Sequence, residues 1–269
     1  MNIFLTAHFI NKQKQLYDIH AGGLTMKINM RKLVTAAVVI LLLGFVFNLV
    51  NSFTGNPVSA FVASRKIQDY AAVNYPASDL VLSDVTYNFK NNAYGCLAQS
   101  IKSVDTKFYI QYSHGKVSDD YEYEVANHFT TYRRLSKDFD DMVTDIIEKD
   151  YPHATTLVIG DLIGDMQQLT PDIQLNLNDI PLQLALTVNI LSDVRNEEQM
   201  ASLLLELHHL MLSRNIPIDQ YTLRLEEPMP EESKPGSGNN LYLENFPATS
   251  ITDNQKNLVA IIREQQIYD

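Results

Sequence analysis

The sequence predicts an α+β protein: one N-terminal transmembrane helix followed by two small extracytoplasmic modules, each a mostly antiparallel sheet packed with helices. Three observations carry this prediction. Residues 33–50 form an uncharged apolar run of 18 residues. Twice along the chain a helical stripe stops at Tyr-Pro and feeds a β-rich run, at Tyr75-Pro76 and at Tyr151-Pro152. Charge is steeply asymmetric, with 16 of the 21 basic and 31 of the 32 acidic side chains lying beyond residue 50.

The apolar run extends from Leu33 to Val50 and covers about 27 Å as a helix, close to the thickness of a hydrocarbon core. Lys27, Arg31 and Lys32 flank its near end. Basic residues stay on the cytoplasmic side, so residues 1–32 are expected to be a cytoplasmic tail and the acidic bulk to lie outside the cytoplasm. A buried core helix is the bland alternative, and a core helix is seldom apolar on every face. A cleaved signal peptide is the stronger rival. Its apolar region typically runs about 7–15 residues, however, and the small-residue site Val58-Ser-Ala60 lies well past the run. The tail raises a separate question. Codons for Gly22-Gly23 can spell GGAGGN, a ribosome-binding sequence, at a suitable distance before Met26. Residues 1–25 are therefore read as a translated leader with Met26 as the start, against the alternative of a real tail.

The first module is expected over residues 56–150. Asn56-Pro57 supplies an N-cap and a first-turn proline. Ala60, Ala63, Ile67, Tyr70 and Ala71 then recur at helical spacing until Tyr75-Pro76. Strand-like runs follow at Leu80–Phe89, Ala93–Ile101 and Lys107–Tyr112, with turns at Asn91-Asn92 and His114-Gly115-Lys116. A long helix is predicted from Glu124 to Glu148, with Val125, Phe129, Tyr132, Leu135, Phe139, Met142, Val143, Ile146 and Ile147 on one stripe. It is expected to cover the first sheet.

The second module is expected over residues 151–269. It opens on Tyr151-Pro152 and a strand at Leu157–Leu162, a pattern close enough to Tyr75-Pro76 and Leu80–Val85 to suggest a duplication. A strand at Leu182–Leu191, a helix at Glu197–Ser213 capped by Asn196, and a strand at Tyr221–Glu226 follow. Residues 228–240 are read as a mobile loop. Leu241–Asn245 returns as a strand, and Thr252-Asp-Asn-Gln255 forms a capping box for a final helix.

Residues with chemistry in them are few. Glu206 and His209 make an E-x-x-H pair, but a bundle metal site needs a second ligand set. Asp138, Asp140, Asp141 and Asp145 read as a solvated acidic face, since calcium loops need irregular backbone. Asp119-Asp120-Tyr121 precedes Arg133-Arg134 closely enough for a loop-to-helix salt bridge. Cys96 is the single cysteine, so no intrachain disulfide forms, and it reads as a small buried side chain. H-E-x-x-H, G-x-S-x-G and Walker motifs do not occur, and no residue is assigned to catalysis, to a cofactor or to a metal. A formal net charge of −11 disfavours nucleic acid as a partner. The expected partners are the lipid bilayer, through the N-terminal helix, and an envelope protein or ligand.

One series of short motifs is specific as a series: Asn56-Pro57, Tyr75-Pro76, Tyr87-Asn-Phe-Lys90, Asp105-Thr-x-Phe108, Asp120-Tyr121 and Arg134-Leu135. In this order they resemble the YfjL-like family of membrane-anchored Firmicutes proteins. The resemblance implies an N-terminal helical anchor and two small extracytoplasmic domains. The family has no assigned activity, so no catalytic residue is carried over. The expectation is a non-enzymatic binding or regulatory protein of the cell envelope, with an envelope hydrolase built from scattered residues as the second reading.

Overall fold

The computed structural model describes residues 20–21, 24–25, 29–228 and 240–265. Lys27, most of the expected leader and all but the ends of the loop expected at 228–240 lie outside the described residues. A two-residue ladder pairs His20–Ala21 with Leu24–Thr25.

Helix α1 spans Met30–Thr54, longer at both ends than the 33–50 run. Asn29 caps it through Oδ1, which accepts from Arg31 N at 3.1 Å. Helix α2, Pro57–Asn74, begins where Asn56-Pro57 places it. Asn56 Oδ1 accepts from Val58 N at 2.8 Å, satisfying an amide that has no partner within the helix.

The first sheet has the strand order β1-β3-β4-β5, antiparallel throughout. Its strands are β1 Leu80–Leu82, β3 Ala93–Ser100, β4 Lys107–Ser113 and β5 Lys116–Asp119. The run expected as one strand over 80–89 is broken. Strand β1 stops at Leu82, and a second short strand, β2, covers Thr86–Asn88. The cause lies at Ser83, whose Oγ takes the Leu97 N–H at 3.0 Å in place of a ladder carbonyl. His114 and Gly115, both at positive φ (50° and 79°), close the tight hairpin between β4 and β5. Alternate residues of β3 and β4 (Cys96, Ala98, Phe108, Ile110) form one core with Ile67 and Ala71 of α2.

A π-turn at Glu122–Ala126 precedes helix α3, Phe129–Asp150, so the helix starts later than Glu124. Of the expected stripe, Leu135, Phe139, Val143 and Ile147 are buried, Tyr132 and Ile146 are partly buried and Met142 is exposed; the stripe packs with the second sheet, not the first. Gly160 permits the close approach, since a Cβ there would meet Val143 Cγ2 at 2.6 Å.

The second sheet runs β9-β8-β7-β6. Its strands are β6 Thr155–Ile163, β7 Gln183–Leu191, β8 Gln220–Glu226 and β9 Leu241–Pro247. β6 and β9 pair antiparallel with their neighbours, whereas β7 and β8 are parallel. Helix α4, Glu197–Ser213, connects that parallel pair, and Asn196 Oδ1 caps it through Gln199 N at 2.8 Å. Parallel strands need such a crossover. The sheet is therefore mixed, and its topology differs from that of the first. The two Tyr-Pro units share a helix–stop–strand opening but not a common sheet. Helix α5, Gln255–Gln265, is capped by Asn254, through Asn257 N at 3.3 Å, and not by Thr252.

Candidate functional site: the apolar helix and the polar clusters

No residue of α1 is buried by protein. Its most apolar 18-residue window has a mean hydropathy of 2.7. No charge occurs between Lys32 and Arg65. Arg31 and Lys32 lie in the first turn and are exposed. Leu33 and Val50, the expected ends of the span, are both helical and exposed. The few hydroxyls on the helix are satisfied internally. Thr35, Ser52 and Thr54 each donate to the carbonyl four residues back at 2.9 Å. A hydroxyl that returns its hydrogen to its own helix backbone needs no water at that point.

The best-formed polar cluster joins three segments. Asp105, on the loop before β4, is 2% exposed and receives both arms of Arg134 from α3 at 2.8 Å. Asp172 N donates to Asp105 Oδ2 at 2.7 Å, and Asp172 Oδ1 accepts from Asp105 N at 3.1 Å and Ser103 Oγ at 3.0 Å. Arg134 Nη2 also donates to the Ile173 carbonyl at 2.8 Å. Burial alone would push the Asp105 carboxyl up. The Arg134 fork, the Asp172 amide and Thr131 outweigh burial and hold it below the ordinary carboxylate range. The partner of Arg134 is thus Asp105, not the Asp119-Asp120 loop, and Arg133 pairs with Glu124 at 3.0 Å.

Asp119 and Asp120 have other tasks. Asp119 Oδ2 accepts the hydroxyls of Tyr70 and Tyr75 at 2.7 and 2.8 Å, and Asp120 Oδ1 accepts Tyr109 N at 2.6 Å. The Asp119 bond, then burial, pushes the Tyr70 hydroxyl up. For Tyr75 burial is the larger cause. Tyr75, Phe108 and Tyr121 cluster around this point with ring centroids 4.7–5.1 Å apart, Phe108 edge-on to both tyrosines.

The remaining candidates are dispersed. Glu206 and His209 do not converge: Glu206 meets His153 at 2.8 Å and His209 meets Asp253 at 3.0 Å. Among the described residues no group of three or more His, Cys, Asp or Glu is placed to hold a metal ion. On the acidic face of α3, Asp141 pairs with Lys137 and Asp145 with Lys149. Asp138 lies 3.9 Å from Arg134. Asp140 departs from the solvated-face reading, because its Oδ1 accepts Gly160 N at 2.8 Å and ties the helix to β6. Cys96 is 1% exposed in β3, and burial pushes its thiol up. Ser113-His-Gly-Lys116 spells S-x-x-K, which corrects the expectation that this motif is absent. It forms an exposed hairpin turn, with Ser113 and Lys116 as cross-strand partners.

The surface carries several grooves, three of them with the following linings. The first, about 520 Å³, is lined by Val81, Leu97, Gln99, Ile101 and Val104 among others. The second, about 800 Å³, lies along Ile163–Asp165, Leu177–Leu184 and Asp219. The third, about 370 Å³, lies beside Tyr75 and Pro76. None of the three has a histidine in its lining.

Residues 30–121 match the YfjL-like N-terminal domain, and residues 138–260 match the YfjL-like C-terminal domain. The chain belongs to the YfjL-like family. No curated protein matches it. A crystal structure of a DUF5037 family protein from Ruminococcus gnavus is similar at 12% identity, covering 74% of this chain and 98% of that one, with a TM-score of 0.24.

Proposed function

We propose that this protein is a single-pass membrane protein of the cell envelope. Helix α1 crosses the bilayer, the N-terminus is cytoplasmic, and the α+β bulk is an extracytoplasmic binding or regulatory element. The observation that carries the reading is α1 itself: 25 helical residues with no face buried by protein. A length of about 37 Å exceeds the roughly 30 Å hydrocarbon core, so the helix is long enough to span with some tilt. Orientation rests on Arg31 and Lys32 at one end, against an uncharged stretch that runs on to Ser64 at the other.

Binding is favoured over hydrolysis by how the polar groups are used. Asp105, Arg134, Asp119 and Asp140 are each spent on backbone or side-chain partners within the fold. The three grooves are open and bring no histidine to a nucleophile. The test of topology is protease added to intact protoplasts. Cleavage beyond about residue 55, with a short membrane-protected remnant, is the expected result. Protection that ends only on lysis would reverse the orientation.

A further inference from the structure

We infer that the segment Tyr87–Asn92, the end of β2 and the turn that follows it, is a second membrane contact, which lies in the lipid headgroup region beside the outer end of α1. The inference rests on the proposal that α1 spans the bilayer. Tyr87 and Asn88 end strand β2, which pairs with β3 of the first sheet, and residues 89–92 form the turn between the two strands; the segment Tyr87–Asn92 nevertheless groups with α1.

The segment meets the last helical turn of α1 through two side chains. The Phe89 ring lies 5.9 Å from the Phe53 ring. Tyr87 Oη donates its one hydrogen to Asn92 Oδ1 at 2.9 Å and lies 3.4 Å from the Ser52 carbonyl. That carbonyl is one of the last four of the helix, which have no partner within it. A half-buried tyrosine whose polar tip lies at a helix end suits a membrane–water boundary.

Depth follows from the helix rise. A hydrocarbon core of about 30 Å takes up about 20 residues, so a span entered at Leu33 leaves it near Ser52. Phe53 then falls at the boundary, and Phe89, in ring contact with it, falls at the same level. Both rings are exposed to a degree unusual for phenylalanine, Phe53 at 63% and Phe89 at 53%. Lys90 follows directly and is exposed, and its stem can lie along the acyl boundary while the ammonium reaches phosphate. Continuity with α1 identifies what covers these rings: the same bilayer, and not a separate protein.

The chain has no tryptophan, so one can be added as a reporter. Full-length Phe89→Trp and Leu42→Trp are reconstituted separately into phosphatidylcholine–phosphatidylglycerol vesicles containing brominated lipid. Leu42→Trp should lose most of its emission to bromines placed deep in the acyl chains. Phe89→Trp should lose most of its emission to bromines near the headgroup and little to deep ones. Quenching at 42 with none at 89 would overturn the second contact and leave the spanning helix intact. No quenching at either position, or quenching at 89 alone, would overturn the spanning helix and the inference with it. Shielding of Phe89→Trp from aqueous iodide without bromolipid quenching would mean that protein covers the turn, and would likewise overturn the inference.

Discussion

Helices α1 and α3 are of similar length, 25 and 22 residues, and solve opposite problems. α3 carries its apolar side chains on one stripe, buries Leu135, Phe139, Val143 and Ile147, and leaves the rest of its surface to Asp and Lys pairs. α1 is apolar on every side and buries nothing. A stripe is matched by a protein core, whereas an apolar cylinder is matched by a solvent that is itself apolar. The difference predicts where each helix is sensitive: α3 to changes within the fold, α1 to changes in what surrounds it.

The largest effect is expected at Phe139. Truncation to alanine at this fully buried position should cost about 3–5 kcal/mol in a urea melt of the detergent-solubilised chain. A cost near that of a surface substitution would mean that α3 is not core. Asp105→Ala should come close behind, at about 3–5 kcal/mol, because it leaves the Arg134 fork without its carboxylate. This effect carries a pH signature. The folded-state Asp105 pKa lies below the ordinary value, so its contribution is complete above about pH 4, the unfolded value. It is lost as pH falls through the folded pKa. The stability gap between the natural chain and Asp105→Ala should therefore narrow only below about pH 4. A gap that closes near neutrality would implicate another group.

A smaller effect separates two neighbours on the same helix. Asp140→Ala removes the acceptor of the Gly160 amide and should cost about 1–3 kcal/mol. Asp141→Ala breaks only an exposed pair with Lys137 and should change stability by no more than about 0.5 kcal/mol. Equal costs would return Asp140 to the solvated face. The smallest effect belongs to α1. Leu42→Ala deletes as much side chain as a core truncation, yet should move the same melt by no more than about 0.5 kcal/mol, since no protein packs on it.

Elements with strong local signals were legible in the sequence. The Asn196 cap and leucine stripe give α4 its observed bounds, Glu197–Ser213. Asn56-Pro57 and both Tyr-Pro stops fall where the helices begin and end. What was missed depended on contacts distant in sequence or on unusual backbone. Nothing near Arg134 points to Asp105, 29 residues earlier, or to Asp172, 38 later. The π-turn at Glu122–Ala126 interrupts an apolar stripe that runs through it without a break. Whether that stripe faces the first or the second sheet is not encoded in its period. The mixed second sheet did have a signal, because the order of strand, helix and strand over 183–226 is that of a parallel crossover. The polar clusters were visible as residue types, but their pairings were not.

Whether α1 lies in a bilayer is tested directly by extraction of native membranes. Hydrophobic burial is insensitive to screening, whereas a peripheral charge contact is largely lost at about 1 M salt, where the Debye length falls to about 3 Å. The full-length protein should stay in the membrane pellet through such a wash and enter solution only with detergent. Release by salt alone would contradict the spanning helix, and with it the contrast between α1 and α3.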